Sequence, residues 1–295
     1  MSEIIIRSAR AEDREAVLAF CAHTWEWGDY IEHVWESWLS DPSGLLLVAV
    51  YDGRPVGIVH TRMVSETDAW QEGMRVDPAY RQQGIARRLS LEAGAEAMRR
   101  GATSVRLMTE STNTASIYMV EQAQFRRVGA FAVHTAGPLT SIPPHNAGLD
   151  EPVLATPVDL GEIITYLDAS NIFPLVGGLY YEDFVGYRIS DTLLAEKIQA
   201  GQVYLLRRWD RLDGLAIVPL REDRRGKHLF IGYIDGTTAE AIGLIAYALR
   251  RKIAELGLEQ VGAAVPDLIM VRDAFTGAEY EWDGHIFYTY ERGLV

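Results

Sequence analysis

Apolar positions along this chain follow two periods, one of about 3.6 residues and one of two, and the chain switches between them repeatedly. Ile4–Arg7 is a short run suited to a strand. From Ala11 to His23, the apolar residues Ala16, Val17, Phe20 and Cys21 fall at helical spacing, and Tyr30–Ser40 repeats it with Ile31, Val34, Trp35 and Trp38. Leu45–Tyr51 and Val56–Val64, joined by Asp52-Gly53-Arg54-Pro55, read as a β-hairpin, because Asp-Gly supplies the tight turn that hairpins need. Ala69–Val76 continues as a strand. A helix is expected from Gly84 to Arg100, stopped by Gly101, then a strand at Val105–Thr109, a helix at Thr114–Ala123 and a strand at Phe125–Val133.

The second half gives nearly the same order. Val153–Ala155 reads as a strand, and Leu160–Asp168 and Thr192–Gln199 as helices. Val203–Arg207 and Leu215–Leu220 form strands around a turn at Asp210–Gly214, and Leu229–Ile234 is a further strand. Thr237 and Glu240 make a capping box for a long helix, Thr237–Leu256, stopped at Gly257. Strand Gln260–Val265, a short helix opening at Pro266 and strand Tyr280–Tyr290 follow. Between the halves, Gly137–Pro157 holds five of the 11 prolines and reads as an irregular linker. The expected division is a first domain over 1–138, a linker over 139–157 and a second domain over 158–295. The fold class is α/β (α+β), a mixed, mostly antiparallel sheet flanked by helices, present twice.

Composition narrows the function classes. With 28 Lys+Arg against 41 Asp+Glu, the formal net charge is −13. Such a chain lacks the basic footprint that nucleic acid or an anionic membrane surface requires. The longest apolar run, Leu45–Val50, is far below the ~20 residues that span a bilayer. The opening MSEIIIRSAR has no secretory pattern, and Cys21 is the one cysteine, so no internal disulfide is possible. Cys21 lies in an apolar helical stripe and is expected to be buried rather than nucleophilic. The seven histidines form no His-x-x-x-His pair, so no metal is expected. A cytoplasmic protein is expected from these features, and a monomer or homodimer is the expected state.

The chemistry concentrates in Val76–Leu89, VDPAYRQQGIARRL, which runs strand, loop, helix. Gly84 and Ala86 leave little side chain at the helix start, so the free N–H groups of its first turn can approach an anion closely. Arg81, Arg87 and Arg88 add positive charge around that place. The string Arg81-Gln82-Gln83-Gly84-Ile85-Ala86 resembles the acetyl-CoA-binding motif of the GNAT superfamily of N-acetyltransferases, Arg/Gln-x-x-Gly-x-Gly/Ala after a strand. The preceding Val-Asp-Pro-x-Tyr is also typical of that family, and the element order over residues 1–136 agrees with its fold.

The resemblance implies direct attack of an acceptor amine on the thioester of acetyl-CoA in a ternary complex, with no covalent enzyme intermediate. It implies that residues 81–86 hold the pyrophosphate, and that the backbone of Met74 and Val76 pairs with the pantetheine arm at a strand bulge. Asn113 opens a helix at the family's spacing from Phe125, but the family's glycine is Gln124 and its tyrosine position is Val120. Tyr118, two residues earlier on that helix, should point elsewhere. Glu72 is the candidate acceptor of the amine proton, on the face of Met74 and Val76 if alternation holds. His60, on the neighbouring strand, is the alternative base. Trp25, Trp27 and Asp29 occupy a loop that often shapes the acceptor pocket in this family, whereas Trp35 and Trp38 read as core.

The second half lacks this machinery. Only Asp235-Gly236 separates its strand from its long helix, too short for a phosphate loop, and no basic residue is present. The chain therefore resembles a tandem GNAT protein with a degenerate second half. The expected activity is acetylation of a small-molecule amine, with the α-amine of an amino acid favoured. Glu-Gly-Met-Arg-Val-Asp-Pro is also similar to amino-acid N-acetyltransferases of the histidine-acetylating kind. A catalytically silent acyl-CoA-binding sensor or scaffold is the alternative, kept open by the missing tyrosine.

Overall fold

The hairpin signal at Asp52-Gly53 is realised as a two-residue turn with φ of 48° and 78°, the left-handed pair that matches strand twist. It joins β2 (Gly44–Tyr51) to β3 (Arg54–Met63), with β1 (Ile5–Ser8) antiparallel on the far side of β2. β4 (Asp68–Val76) lies antiparallel to β3, and β5 (Ser104–Glu110) runs parallel to β4. The structure, a computed structural model, describes all residues except 1–3, 23, 25–27, 140–150, 224–225 and 295.

Helices cover this sheet in the manner its alternation demands. α1 (Arg14–Cys21) and α2 (Ile31–Leu39) bury Val17, Cys21, Ile31, Trp35 and Trp38 against Leu46, Val48, Val50 and Ile58. The intervening strand residues Leu47, Ala49, Val56 and Val59 point the other way, onto Ile85, Leu89 and Ala93 of α3 (Ile85–Arg99). α4 (Thr114–Gln122) follows β5. Arg106 of β5 is buried and bridges Asp68 at 2.9 Å and Glu291 near the end of the chain.

The chain falls into two compact units, Met1–Arg127 with Tyr290–Val295, and Val128–Thr289. These differ from the expected 1–138 and 158–295. The change of unit falls inside strands, β6 (Arg126–Ala136) and the last strand, because ladder pairing and not proline content decides which residues pack together. Residues 140–150 of the expected linker lie outside the described residues. Its end is ordered: β7 (Val153–Leu154) pairs with Tyr204 and Leu205, and Thr156 and Asp159 form a capping box.

The second unit repeats the element order. α5 (Leu160–Asp168) is followed by a hairpin that periodicity did not reveal, β8 (Leu179–Glu182) and β9 (Val185–Arg188), and then by α6 (Asp191–Gln199). β10 (Val203–Arg208) turns at Trp209-Asp210, not across Asp210–Gly214, into β11 (Arg211–Ile217). β12 (Leu220–Asp223) pairs with β13 (Gly226–Ile231). The strand expected over Leu229–Ile234 is broken at Gly232: β13 pairs with β15 (Val261–Pro266), and β14 (Tyr233–Gly236) pairs with β11. A Cβ at Gly232 would lie 2.1 Å from the Tyr181 carbonyl oxygen, so only glycine fits this crossing.

α7 (Ala239–Glu255) is capped by Thr238, whose hydroxyl accepts from Ala241 N–H, and not by Thr237. Pro266 closes β15 rather than opening a helix, and α8 (Ile269–Gly277) begins three residues later. β16 (Glu281–Gly293) ends the chain.

Candidate functional site

The geometry of the site begins with one extra residue in β4. Gly57 and Ile58 of β3 face Val76 and Arg75, but His60 faces Glu72, so β4 carries an extra residue at Gly73–Met74, opposite Val59. Gly73 has φ of +67°, the left-handed glycine of a bulge. A bulge reverses side-chain parity. Met74 and Val76 therefore pack on the α3 side with Val59 and Ile85, whereas Glu72 and Arg75 lie on the α1–α2 side. The expected common face for Glu72, Met74 and Val76 is corrected: Glu72 is on the opposite face, because alternation does not survive the bulge.

On the α1–α2 side the polar groups form one cluster. His60 is fully buried, and its ring stacks on Trp38 with centroids 4.6 Å apart and planes 8° from parallel. His60 Nδ1 lies 3.0 Å from Glu72 Oε1, and Arg62 Nε lies 3.5 Å from the same oxygen. Glu72 is half-buried and so reachable from outside. Next along the face, Arg75 donates to both Asp29 oxygens, Nε at 2.7 Å and a terminal nitrogen at 3.3 Å, and its guanidinium lies over the Tyr30 ring. Burial pushes the Tyr30 hydroxyl above its ordinary range, so it stays protonated.

Asp29 was expected to line a pocket. Its side chain is instead 3% exposed, spent on Arg75 and on the N–H of Ile31 at the start of α2. The partner was not foreseeable, because Arg75 is distant in sequence and reaches this face only through the bulge. Trp25 and Trp27 lie outside the described residues. Cys21 is buried, and burial pushes its thiol up to about 12, which removes it as a nucleophile near neutrality.

Beyond Trp70 and Arg106 the parallel strands part. β4 and β5 pair only over Asp68–Trp70 and Ser104–Arg106, although β4 runs on to Val76 and β5 to Glu110. Backbone groups of Glu72–Val76 on that edge have no ladder partner in β5. This leaves an edge of peptide groups on β4 that runs on to the loop before α3.

That loop is built by its own side chains. Asp77 accepts from Ala79 N–H at 2.9 Å and caps the turn Pro78–Tyr80, while Tyr80 packs on Tyr51 with centroids 5.4 Å apart. Arg81 folds back to donate to the Val76 carbonyl at 3.3 Å. Gln82 and Gly84 are left-handed, at φ of 61° and 74°. The first helical bond of α3 is Arg88 N–H to Gly84 carbonyl, so the N–H groups of Ile85, Ala86 and Arg87 have no acceptor within the helix. A Cβ on Gly84 would meet nothing within 4 Å, so the helix end faces open space. Residues 81–84, Gln83 among them, are exposed, Ala86 is half-buried, and Ile85 anchors the turn in the core. The arrangement can receive a phosphate on backbone donors at the positive end of a helix.

Asn113 caps α4, its side chain accepting from Ser116 N–H at 3.1 Å. Val120, at the family's tyrosine position, carries no hydroxyl and is fully buried, while Tyr118 is 68% exposed. In the second unit, two residues separate β14 from α7 and no loop comparable to 77–84 exists. Among the described residues, no group of three or more His, Cys, Asp or Glu could hold a metal ion, and no helix is long and apolar enough to cross a membrane.

Residues 13–125 match the model of the acetyltransferase (GNAT) family. No curated protein matches the chain by sequence. Among solved structures, a GCN5-related N-acetyltransferase from Sphaerobacter thermophilus is similar with a TM-score of 0.61 at 14% identity, over 99% of this chain and 96% of that one. A tandem GNAT protein from the clavulanic acid biosynthesis pathway is similar with a TM-score of 0.54 at 15% identity, over 99% of each chain. A GCN5-related N-acetyltransferase from Anabaena variabilis ATCC 29413 gives 0.53 at 15% identity, over 99% of this chain and 73% of the other. At these identities the likeness is one of fold.

Proposed function

From the premise that residues 13–125 form a domain of the GNAT acetyltransferase family, we propose that this chain is an acetyl-CoA-dependent N-acetyltransferase acting on a small-molecule amine. The observation that carries the reading is the edge of β4 left unpaired by β5 beyond Trp70, followed in the chain by the left-handed Gly84 and the free N–H groups of α3. The pyrophosphate of acetyl-CoA would sit on residues 81–86. The pantetheine arm would complete the unpaired edge of β4 through the backbone of Met74 and Val76, with Asn113 nearby at the head of α4.

In this reading the amine loses its proton to Glu72, the half-buried carboxylate on the acceptor side of β4. The neutral nitrogen attacks the thioester carbon, the C–N bond forms, and the C–S bond breaks as the thiolate leaves. A thiol has an ordinary pKa near 8.5, so water can protonate the leaving group, and the tyrosine missing at Val120 is not required. The harder proton is that of the amine. An α-amine, at ~7.7–8.0, holds far more neutral nitrogen at pH 7 than a lysine-like amine at ~10.4. The α-amine of an amino acid is therefore the favoured acceptor class. The second unit would act as a degenerate copy without a cofactor site.

Calorimetry with acetyl-CoA, followed by thiol release across an amine panel with mass spectrometry of the products, tests this. The expected result is binding and turnover, fastest on low-pKa amines. Binding without turnover on any amine would identify a silent acyl-CoA-binding module instead, the reading that Val120 favours. No binding at all would overturn both.

A further inference from the structure

Two residues of β3 approach Glu72, and they do so differently. Arg62 stands two residues beyond His60, so both lie on the face of Glu72. His60 Nδ1 meets Glu72 Oε1 at 3.0 Å, and its ring is fixed by the stack on Trp38. Arg62 comes only to 3.5 Å of the same oxygen, through Nε, and that nitrogen is buried with no hydrogen-bond partner. Among the described residues, Glu72 Oε2 has no hydrogen-bond partner. One oxygen of the carboxylate is thus held by His60, and the other is left for a ligand.

Among the described residues the Arg62 guanidinium donates no hydrogen bond, although every one of its nitrogens is a donor. Trp70, opposite Arg62 in the register, has an indole that can only donate. Asp41, the other carboxylate of the cluster, is taken up elsewhere. Its Oδ1 accepts from Ser43 N–H at 2.8 Å and Ser43 Oγ at 2.7 Å, and its Oδ2 lies 3.6 Å from His60 Nε2. Gly44 gives Asp41 that place, since a Cβ there would lie 2.5 Å from Asp41 Oδ2 and 2.6 Å from His60 Nε2. Arg62 and Glu72 are both half-buried, so solvent reaches them as two opposite charges side by side.

We propose that Arg62 receives the carboxylate of the acceptor, so that the substrate class is an α-amino acid with its α-carboxylate free. An α-amino acid carries its two opposite charges about 2.5 Å apart, nitrogen to carboxylate carbon, by ordinary bond lengths. That spacing suits two side chains of opposite charge that approach to 3.5 Å. The carboxylate lies against the guanidinium fork, and the amino group lies against Glu72 Oε2, which takes its proton. Binding itself forms no covalent bond. Acetylation removes the positive charge of the amino group and leaves the carboxylate, so the product keeps its contact with Arg62 and loses the one with Glu72. An amine without a carboxylate, or the N-terminus of a peptide, leaves the guanidinium unmatched. This inference rests on Glu72 receiving the amine proton, as proposed above.

The test sets each common α-amino acid beside its primary amide. The amide has the less basic amino group, so amine pKa alone would make it the better substrate, and only the carboxylate contact reverses that order. In the wild type, kcat/KM for the best acid should exceed that for its amide by at least about tenfold. Arg62→Gln should raise KM for that acid by at least about tenfold more than KM for the amide, whereas a residue that merely supports the strand would affect both alike. Arg62→Lys keeps the charge but loses the planar fork, and should act selectively in the same direction by a smaller factor, which keeps the proposal testable if Arg62→Gln does not fold. A wild type that prefers the amides, or variants that treat acid and amide equally, overturns the proposal. A wild type that acetylates no amine overturns the enzymatic reading, and the ¹⁵N–H signals of the Arg62 side chain then still decide the site. They should move on titration with a mixture of the common α-amino acids and not with the same mixture as amides, and an equal response to both, or none, overturns the carboxylate contact.

Discussion

Glu72 and Met74 are two residues apart on one strand, yet they face opposite sides of the sheet. Glu72 meets His60 on the α1–α2 side, and Met74 packs with Val59 and Ile85 on the α3 side. Gly73, left-handed and in the bulge, produces that reversal. The carboxylate proposed to take the amine proton and the peptide edge proposed to receive the pantetheine arm are thereby presented from residues on either side of Gly73.

Gly73→Ala should therefore cost both stability and activity. A Cβ there would lie 2.4 Å from the Trp38 ring, and φ of +67° strains any side chain. Together these effects should cost about 1–3 kcal/mol, with Trp38 pushed off His60. Chemical denaturation and kcat/KM of the folded fraction measure the two effects. A variant with wild-type midpoint and rate would mean that the bulge can be rebuilt without glycine.

At the helix N-terminus, Gly84→Glu should abolish acetyl-CoA binding. The new carboxylate would project into the open space where the pyrophosphate is expected and oppose the helix dipole. Gly84→Ala should bind more weakly but measurably, because it adds backbone strain at φ of 74° without charge. Calorimetry on the two variants separates charge from strain, and undiminished affinity in folded Gly84→Glu would remove the phosphate site from this loop.

Tyr118→Phe should leave kcat nearly unchanged, since Tyr118 is exposed and Val120 occupies the family's tyrosine position. Restoring the tyrosine is not expected to be benign. Val120 is fully buried, and Val120→Tyr should destabilise the fold by about 1–3 kcal/mol through overpacking. A fall of a hundredfold or more in kcat for Tyr118→Phe, with the fold retained, would make Tyr118 the acid after all.

In the second unit, Asp235 is buried among hydroxyls: Ser170 Oγ donates at 2.6 Å, Tyr233 at 2.7 Å and Tyr166 at 3.2 Å. Burial raises its pKa above the ordinary value, although these hydroxyls oppose the shift. The folded chain then holds the Asp235 proton at pH values where the unfolded chain, at ~3.9, has released it, so stability falls as pH rises from there through the folded value. Asp235→Asn removes that loss. Its melting temperature should gain on the wild type between pH 4 and pH 7, and a difference that stays flat across that range would show that Asp235 does not titrate there.

Much of the fold was legible in the sequence because it follows local rules. Helix spacing placed α1, α2, α3 and α5, Asp52-Gly53 placed the first hairpin, and Gly84 and Gly101 marked the ends of α3. The errors arose where tertiary packing overrode a local signal. Gly232 broke an apolar run because Tyr181 needs its space, Thr238 displaced Thr237 as the cap, and the change of unit fell within strands instead of in the proline-rich segment.

The site divides along the same line. Arg81-Gln82-Gln83-Gly84-Ile85-Ala86 is contiguous, and a phosphate loop works through its own backbone, so the sequence by itself determined the loop at which an acyl-CoA is proposed to be held. What stands opposite that loop depended on side chains distant along the chain. The bulge at Gly73 turned Glu72 and Arg75 to one face, Arg75 occupied Asp29, and Gly44 let Asp41 reach His60. A single extra residue in a strand inverts every side chain beyond it, and no local pattern shows which strand residue will be the extra one. Only the paired register of β3 and β4 decided that.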